Sequence, residues 1–419
     1  MKKIFSFIIL IVLAFVLYKP IKNALVKAPE KKEENTKITY EDILKKTDDK
    51  NIDIDSLTIY GKHLNMTFNT DKDCVLILKN NDKDLSYKLD LDNNKLILSK
   101  YINDGINLEK LDVGEYIVLL KDNVTNIYYN VLNKTDYHDN QYYTITRNGK
   151  NNLITFNEKT YNNKKYFTIN VSSVKLPENI YDIVIDPGHG GVDTGAGNGS
   201  YHESTFTLDY SKALYDELTK DGLKVKLTRE SDVSIESYGE GSRTGIPYEV
   251  KAKLMLDIHL NSSGSSKQRG VEIYKASHDN NAFAKILADN IHNETNIPYS
   301  NNPMNKVDDG IYMRVYSAKD IENTKKDAKK YNFEPYNLDN DVTYYYFIRE
   351  TGGIMTKAFT DGRNPKKKAN PYRNMNQGVE AYLCELAYIS QKDDLNMVIN
   401  NKEHFINGLV KAVIKYVNE

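Results

Sequence analysis

The pattern of apolar and polar positions changes character along the chain, and each change marks a different kind of segment. Residues 4–18 are apolar apart from Ser6, with Lys2 and Lys3 before them and Lys19, Pro20 and Lys22 after. A helix of that length spans roughly 22 Å, short of a ~30 Å hydrocarbon core, which places it between a signal-peptide core and a thin membrane span. The best cleavage-like pattern, Val26-Lys27-Ala28, lies well beyond the run and is followed by Pro29. Flanking lysines can reach the headgroups, so the pattern predicts an uncleaved N-terminal membrane anchor over 1–22, with a cleaved, secreted form as the alternative. Residues 23–49 are rich in Lys, Glu and Asn with little apolar periodicity and read as a solvated tether.

Short alternating or β-branched runs follow at 57–60, 64–68, 74–78, 116–120, 127–131, 142–146 and 166–171, each bounded by Asn, Asp, Gly or Lys. Strands at that spacing, with no helical periodicity between them, predict an all-β, sandwich-like accessory domain over 50–176. The pattern changes again at Ile183. A buried-type strand at 183–186, helical spacing over 208–220, a strand at 223–228, a strand at 253–260, a helix over 281–292, an apolar run at 380–389 and a helix over 403–417 follow in turn. Strands alternating with helices predict an α/β domain over 177–419 with a mainly parallel, helix-covered sheet. Residues 298–378 read as an irregular Asn- and Tyr-rich stretch with the basic run Lys366 to Lys368, long for a connection and suited to framing a site.

Composition narrows the function classes. A chain of 419 residues exceeds what one core supports, and 40% apolar with 27% charged residues is ordinary globular usage. The formal charge of -1, with both signs mixed along the chain, provides no basic face, which excludes nucleic acid as an expected partner. Cys74 and Cys384 fall in different predicted domains, so no disulfide is expected, and Cys384 reads as a buried small hydrophobe.

The candidate chemistry lies in the α/β part. Asp186-Pro187-Gly188-His189-Gly190-Gly191 puts a histidine on a tight turn after a strand, where open α/β sheets place functional groups. His259 ends a second strand, and Glu203 immediately precedes a helix, where it also reads as a favourable charge at the helix terminus. Two imidazoles and one carboxylate form a three-ligand set of the kind that catalytic zinc sites use, with a water in the open position. Glu385 sits within an apolar strand, where an ionised acid must be paired, neutral or at the strand's exposed end; desolvation would raise its proton affinity toward that of a general base.

The run DPGHGGVDTGA, Glu203 after it, LTRESD at 227–232, DIHLN at 257–261 and ELAYIS at 385–390 together resemble zinc-dependent N-acetylmuramoyl-L-alanine amidases of the third amidase family. The resemblance covers about 183–419. It implies a six-stranded α/β catalytic domain, Zn2+ at the positions of His189, Glu203 and His259, and a catalytic glutamate at Glu385. It also implies peptidoglycan as substrate, cut at the amide between N-acetylmuramic acid and L-alanine; the apolar N-terminal run puts that work on the extracytoplasmic side of the membrane. The family usually has Ser before the Ile-His pair and Gly-Phe after the catalytic glutamate, whereas this chain has Asp257 and Ala387-Tyr388. Alternative readings are a catalytically silent wall-binding or regulatory relative and another zinc hydrolase of the cell wall. The accessory β region then reads as a spacer or wall-binding module, and no protein partner is indicated.

Overall fold

Alternating apolar positions build a large sheet in the first half of the chain. The computed structural model describes residues 47, 50–81, 83–135, 141–145, 151–332, 338–359 and 370–419. The expected anchor over 1–22, nearly all of the 23–49 tether and the basic run Lys366 to Lys368 lie outside these residues. Among the described residues, no helix is long and apolar enough to cross a membrane.

The long strands of the first half are β1 (Ile52–Tyr60), β2 (His63–Phe68), β3 (Cys74–Lys79), β4 (Gly114–Asp122), β5 (Tyr128–Asn133), β6 (Asn152–Tyr161) and β7 (Lys164–Ser173). β4 runs antiparallel to β3, β5 and β7, β7 antiparallel to β6, and β1 lies parallel to β5 and antiparallel to β2. Because β5 joins the two halves, the layers expected of a sandwich are one hydrogen-bonded thirteen-stranded sheet. Its inward residues, among them Ile54, Leu64, Leu76, Val118, Val131 and Ile169, form one apolar cluster. Strand β6 escapes the periodicity because only Ile154 and Phe156 are buried before a polar, exposed second half. Its hairpin with β7 turns on Asn162 and Asn163, both at positive φ, as a two-residue type I′ turn requires.

The second half contains β8 (Ile183–Pro187), α1 (Glu203–Lys220), β9 (Val225–Leu227), β10 (Leu254–Asn261), β11 (Glu272–Tyr274), α2 (Ala282–Thr295), β12 (Lys306–Asp308), β13 (Ile311–Tyr312), α3 (Ala318–Tyr331), α4 (Tyr346–Thr351), β14 (Gln377–Gly378), β15 (Glu380–Tyr388), α5 (Lys392–Asn400) and α6 (Lys402–Asn418). The sheet order is β9-β8-β10-β15-β11-β13-β12. This corrects the expected mainly parallel six-stranded sheet. The first four strands are parallel, but β11 runs antiparallel to β15 and β12 antiparallel to β13, so the sheet is seven-stranded and mixed. The added strands are two or three residues long, too short to show a period.

Strand alternation sorts the side chains onto two faces. Ile183, Ile185, Leu254, Leu256 and Ile258 pack with Tyr210, Leu214, Leu287 and Leu409 of the long helices. Val184, Met255, Ala381 and Leu383 face the other way, against Phe347 and Ile348. The stretch 298–378, expected to be irregular, therefore supplies the cover of the second face. It also holds helix α3, whose Ser317 and Asp320 make a reciprocal capping box. That helix buries only Thr324 and Ala328, which is why no apolar stripe announces it.

Residues Thr47–Glu419 form one compact unit. Strand β1 pairs in parallel with β14, the Lys62 ammonium donates to the Tyr416 carbonyl, and Asn103 donates to Glu380 Oε1 at 3.3 Å.

Candidate metal centre

The turn after β8 is held by its carbonyl oxygens. Arg229 donates from Nε to the Pro187 carbonyl at 3.0 Å and from Nη2 to the Gly188 carbonyl at 2.9 Å. Arg243 donates from Nη1 to Asp186 Oδ1 at 2.6 Å and to the Pro187 carbonyl at 2.8 Å, and from Nη2 to the His189 carbonyl. Thr207 on α1 donates its hydroxyl to the Gly188 carbonyl at 2.7 Å. With these oxygens engaged, His189 adopts a left-handed φ of 59° and its ring meets α1. Burial pushes the Asp186 carboxyl up, to about 6, against the pull of Arg243. Arg229 entered the sequence reading only inside a motif, and Arg243 was missed. Both are ordinary charged residues in a polar stretch, and only burial distinguishes them.

Glu203, the first residue of α1, is almost completely buried between the two histidines. Its Oε2 lies 3.1 Å from His189 Nε2 and its Oε1 2.9 Å from His259 Nδ1. The same oxygens accept the Ala196 and Leu260 amides at 2.8 and 3.0 Å. Burial alone would push this carboxyl up, but the hydrogen bonds to His189 and His259 and their charges hold it well below the usual range. The histidines respond in kind. Burial disfavours protonated His259, yet Asp257 and Glu203 together hold its pKa well above the ordinary value. His189 is raised as well, with burial opposed mainly by Glu203. Glycine makes the crowding possible at Gly195, where an added Cβ would lie 2.6 Å from His189 Cδ2 and 2.7 Å from Glu203 Oε2.

One donor atom from each of His189, Glu203 and His259 lies within 4.8 Å of the others, and the three can hold a metal ion. Two imidazole nitrogens and a carboxylate oxygen fit a divalent ion of intermediate softness. Glu385 joins them from β15, where it is the register partner of His259 on β10. Its Oε2 is sealed from solvent and has no hydrogen-bond partner among the described residues. Burial is the main force holding this carboxyl well above its ordinary range, His259 pulls it down, and Glu203, Glu272 and Asp257 push it further up.

Asp186, Asp257, His259 and Glu385 share the strand face covered by α4. There the Phe347 ring stacks on His259 with centroids 6.1 Å apart. Beside them opens a cavity of about 380 Å³ lined by Asp186, His189, Arg243, Asp257, His259 and Phe347, among others. Nothing in the sequence pattern pairs Phe347 with His259.

Residues 183–325 match the profile of the Amidase_3 family, described as N-acetylmuramoyl-L-alanine amidase. His189, Glu203 and His259 lie inside the matched span, and Glu385 lies beyond it. The probable cell wall amidase LytH of Staphylococcus saprophyticus is 35% identical over 109 residues, 25% of this chain and 35% of that protein. The germination-specific N-acetylmuramoyl-L-alanine amidase of Bacillus subtilis is 33% identical over 122 residues, 26% of this chain and 52% of that protein. The chain thus spans about a third to a half of the length of these relatives. The catalytic domain of CwlV, an N-acetylmuramoyl-L-alanine amidase from Bacillus (Paenibacillus) polymyxa, aligns over 57% of this chain and 99% of that one, at 21% identity and a TM-score of 0.38.

Proposed function

We propose that this protein hydrolyses the amide bond between N-acetylmuramic acid and L-alanine in peptidoglycan, with zinc held by His189, Glu203 and His259. The observation that carries the reading is the clustering of these three donors, with Glu385 the register partner of His259 on the adjacent strand. The first three lie within the segment that matches the amidase profile. Zinc, when bound, polarises a scissile carbonyl and lowers the pKa of a water molecule. Glu385 takes the proton of the attacking water on its carboxylate and returns it to the departing L-alanine nitrogen. Its burial supports this role by raising its affinity for a proton. The Phe347 ring shields His259 from water on one side. One relative is by name a probable cell wall amidase, and another a germination-specific N-acetylmuramoyl-L-alanine amidase. Accordingly the enzyme works on the extracytoplasmic side, anchored through residues 1–22 or, alternatively, secreted to the cell wall, and the β region before about residue 176 serves as a spacer or wall-binding module.

Mass spectrometry of digested wall tests the reaction. Stem peptides with a free L-alanine amino terminus are expected; acetate or internal peptide fragments alone would assign the zinc site to another hydrolase. The variant Glu385→Gln keeps the side-chain shape and loses the proton acceptor. It should remain folded and zinc-loaded while turnover falls by about a hundredfold to ten-thousandfold. A folded, zinc-loaded and fully active Glu385→Gln protein would refute the catalytic role.

A further inference from the structure

The imidazole of His259 has a nitrogen at each end, and the two face different carboxylates. Nδ1 lies 2.9 Å from Glu203 Oε1, inside the three-donor cluster. Nε2 lies 3.1 Å from Asp257 Oδ1, on the opposite side of the ring. Asp257 precedes His259 by two residues on β10, so strand alternation puts both side chains on one face. It is 1% exposed, and apart from the His259 ring neither of its oxygens has a hydrogen-bond partner among the described residues. Its register neighbour Asp186 already engages the Arg243 guanidinium at 2.6 Å. A sealed carboxyl whose one close donor-capable neighbour is an imidazole is costly to keep, which marks Asp257 as a group with a task.

We propose that Asp257 is a positioning residue for His259: it accepts the Nε2 proton, which fixes the tautomer that leaves the Nδ1 lone pair free for a metal ion and raises the basicity of that nitrogen. Asp257 does not ligate the ion itself, since it meets the ring at the end away from Glu203. The other histidine has a similar contact, His189 Nδ1 to Asp193 Oδ2 at 2.9 Å, but the Asp193 side chain is 65% exposed against 2% for Asp257. Water screens the first pair, and burial leaves the second less screened. Serine is usual at this position in the amidases the sequence resembles, so the carboxyl group is this chain's own variation.

The inference rests on the zinc site proposed above, and its test separates the two. Zinc affinity of the full chain is measured by competition with a chromophoric chelator at fixed pH, on preparations whose folding is checked by thermal melting. The wild-type chain should bind one zinc, and His189→Ala should lose it; failure of either result overturns the metal site and this inference with it. If the site stands, Asp257→Leu should weaken zinc binding by about tenfold to a hundredfold. Asp257→Asn, which keeps the shape and an acceptor oxygen but not the charge, should fall between wild type and Leu. Should Asp257→Leu not fold, the isosteric Asn variant decides alone. A purely structural role would lower the melting temperature and leave the zinc affinity of the folded variants unchanged, and that result overturns the proposal.

Discussion

Gly188 is where one added methyl group tests the site most directly. A Cβ at this position would lie 2.4 Å from His259 Nε2, 2.5 Å from Cε1 and 2.8 Å from Cδ2. Contacts of this kind are comfortable at about 3.5 Å, so the imidazole must retreat by about 1 Å. It has little room to do so, with Phe347 stacked on its face and Glu203 2.9 Å from Nδ1. The φ of Gly188 lies outside the left-handed region, so alanine adds no backbone strain and the effect falls on the ring. In Gly188→Ala, overpacking should cost about 1–3 kcal/mol of stability. A shift of about 1 Å in a ligand should also lower turnover by about a hundredfold, with zinc affinity falling alongside. Denaturant unfolding of the metal-free protein, chelator competition and digestion of purified wall measure the three effects on one preparation. A Gly188→Ala protein with wild-type zinc affinity and wild-type activity would show that His259 is not a ligand held in this position.

Two further perturbations probe the surroundings. Arg349 is fully buried, pairs with Glu350 at 3.0 Å and donates to the Thr343 and Tyr344 carbonyls at 2.9 and 2.8 Å, which ties down the segment leading into α4. Arg349→Met should destabilise the fold by about 3–5 kcal/mol in denaturant titration, because it strands the Glu350 charge; a loss below about 1 kcal/mol would refute that account. Burial holds the Glu380 carboxyl above its ordinary range, and that of Asp279 well above, with the neighbouring Glu380 adding to the rise at Asp279. Because the folded pKa is the higher one, the folded state retains the proton as pH rises. Their contribution is therefore greatest at acidic pH and is lost as pH climbs from about 4 through the raised folded values. Glu380→Gln should flatten the fall of the thermal midpoint with pH, and an unchanged slope would place that pH dependence on other groups.

The strands that can be read along the chain are those with a buried face. Leu254 to Leu260 announces β10, and the long apolar run of 380–389 announces β15. Strand β6 and helix α3 stay hidden because most of their side chains meet water. The candidate site is legible through His189, Glu203, His259 and Glu385, since strand-end histidines and a carboxylate inside an apolar run are conspicuous before any contact is known. Their supports are not. Arg229 and Arg243 act on backbone carbonyls, and Phe347 reaches His259 from a segment with no periodic pattern.

Local chemistry and spacing thus mark by themselves the longer buried strands, the candidate residues for a metal or a proton, and the α/β character of the second half. Tertiary structure alone decided the mixed order of the sheet, the pairing of β1 with β14 and the face on which the site opens. The physical reason is that a period of two or 3.6 reports which side of an element is buried. Which partner buries it, and in which direction a short edge strand returns, depends on contacts between residues far apart in the chain.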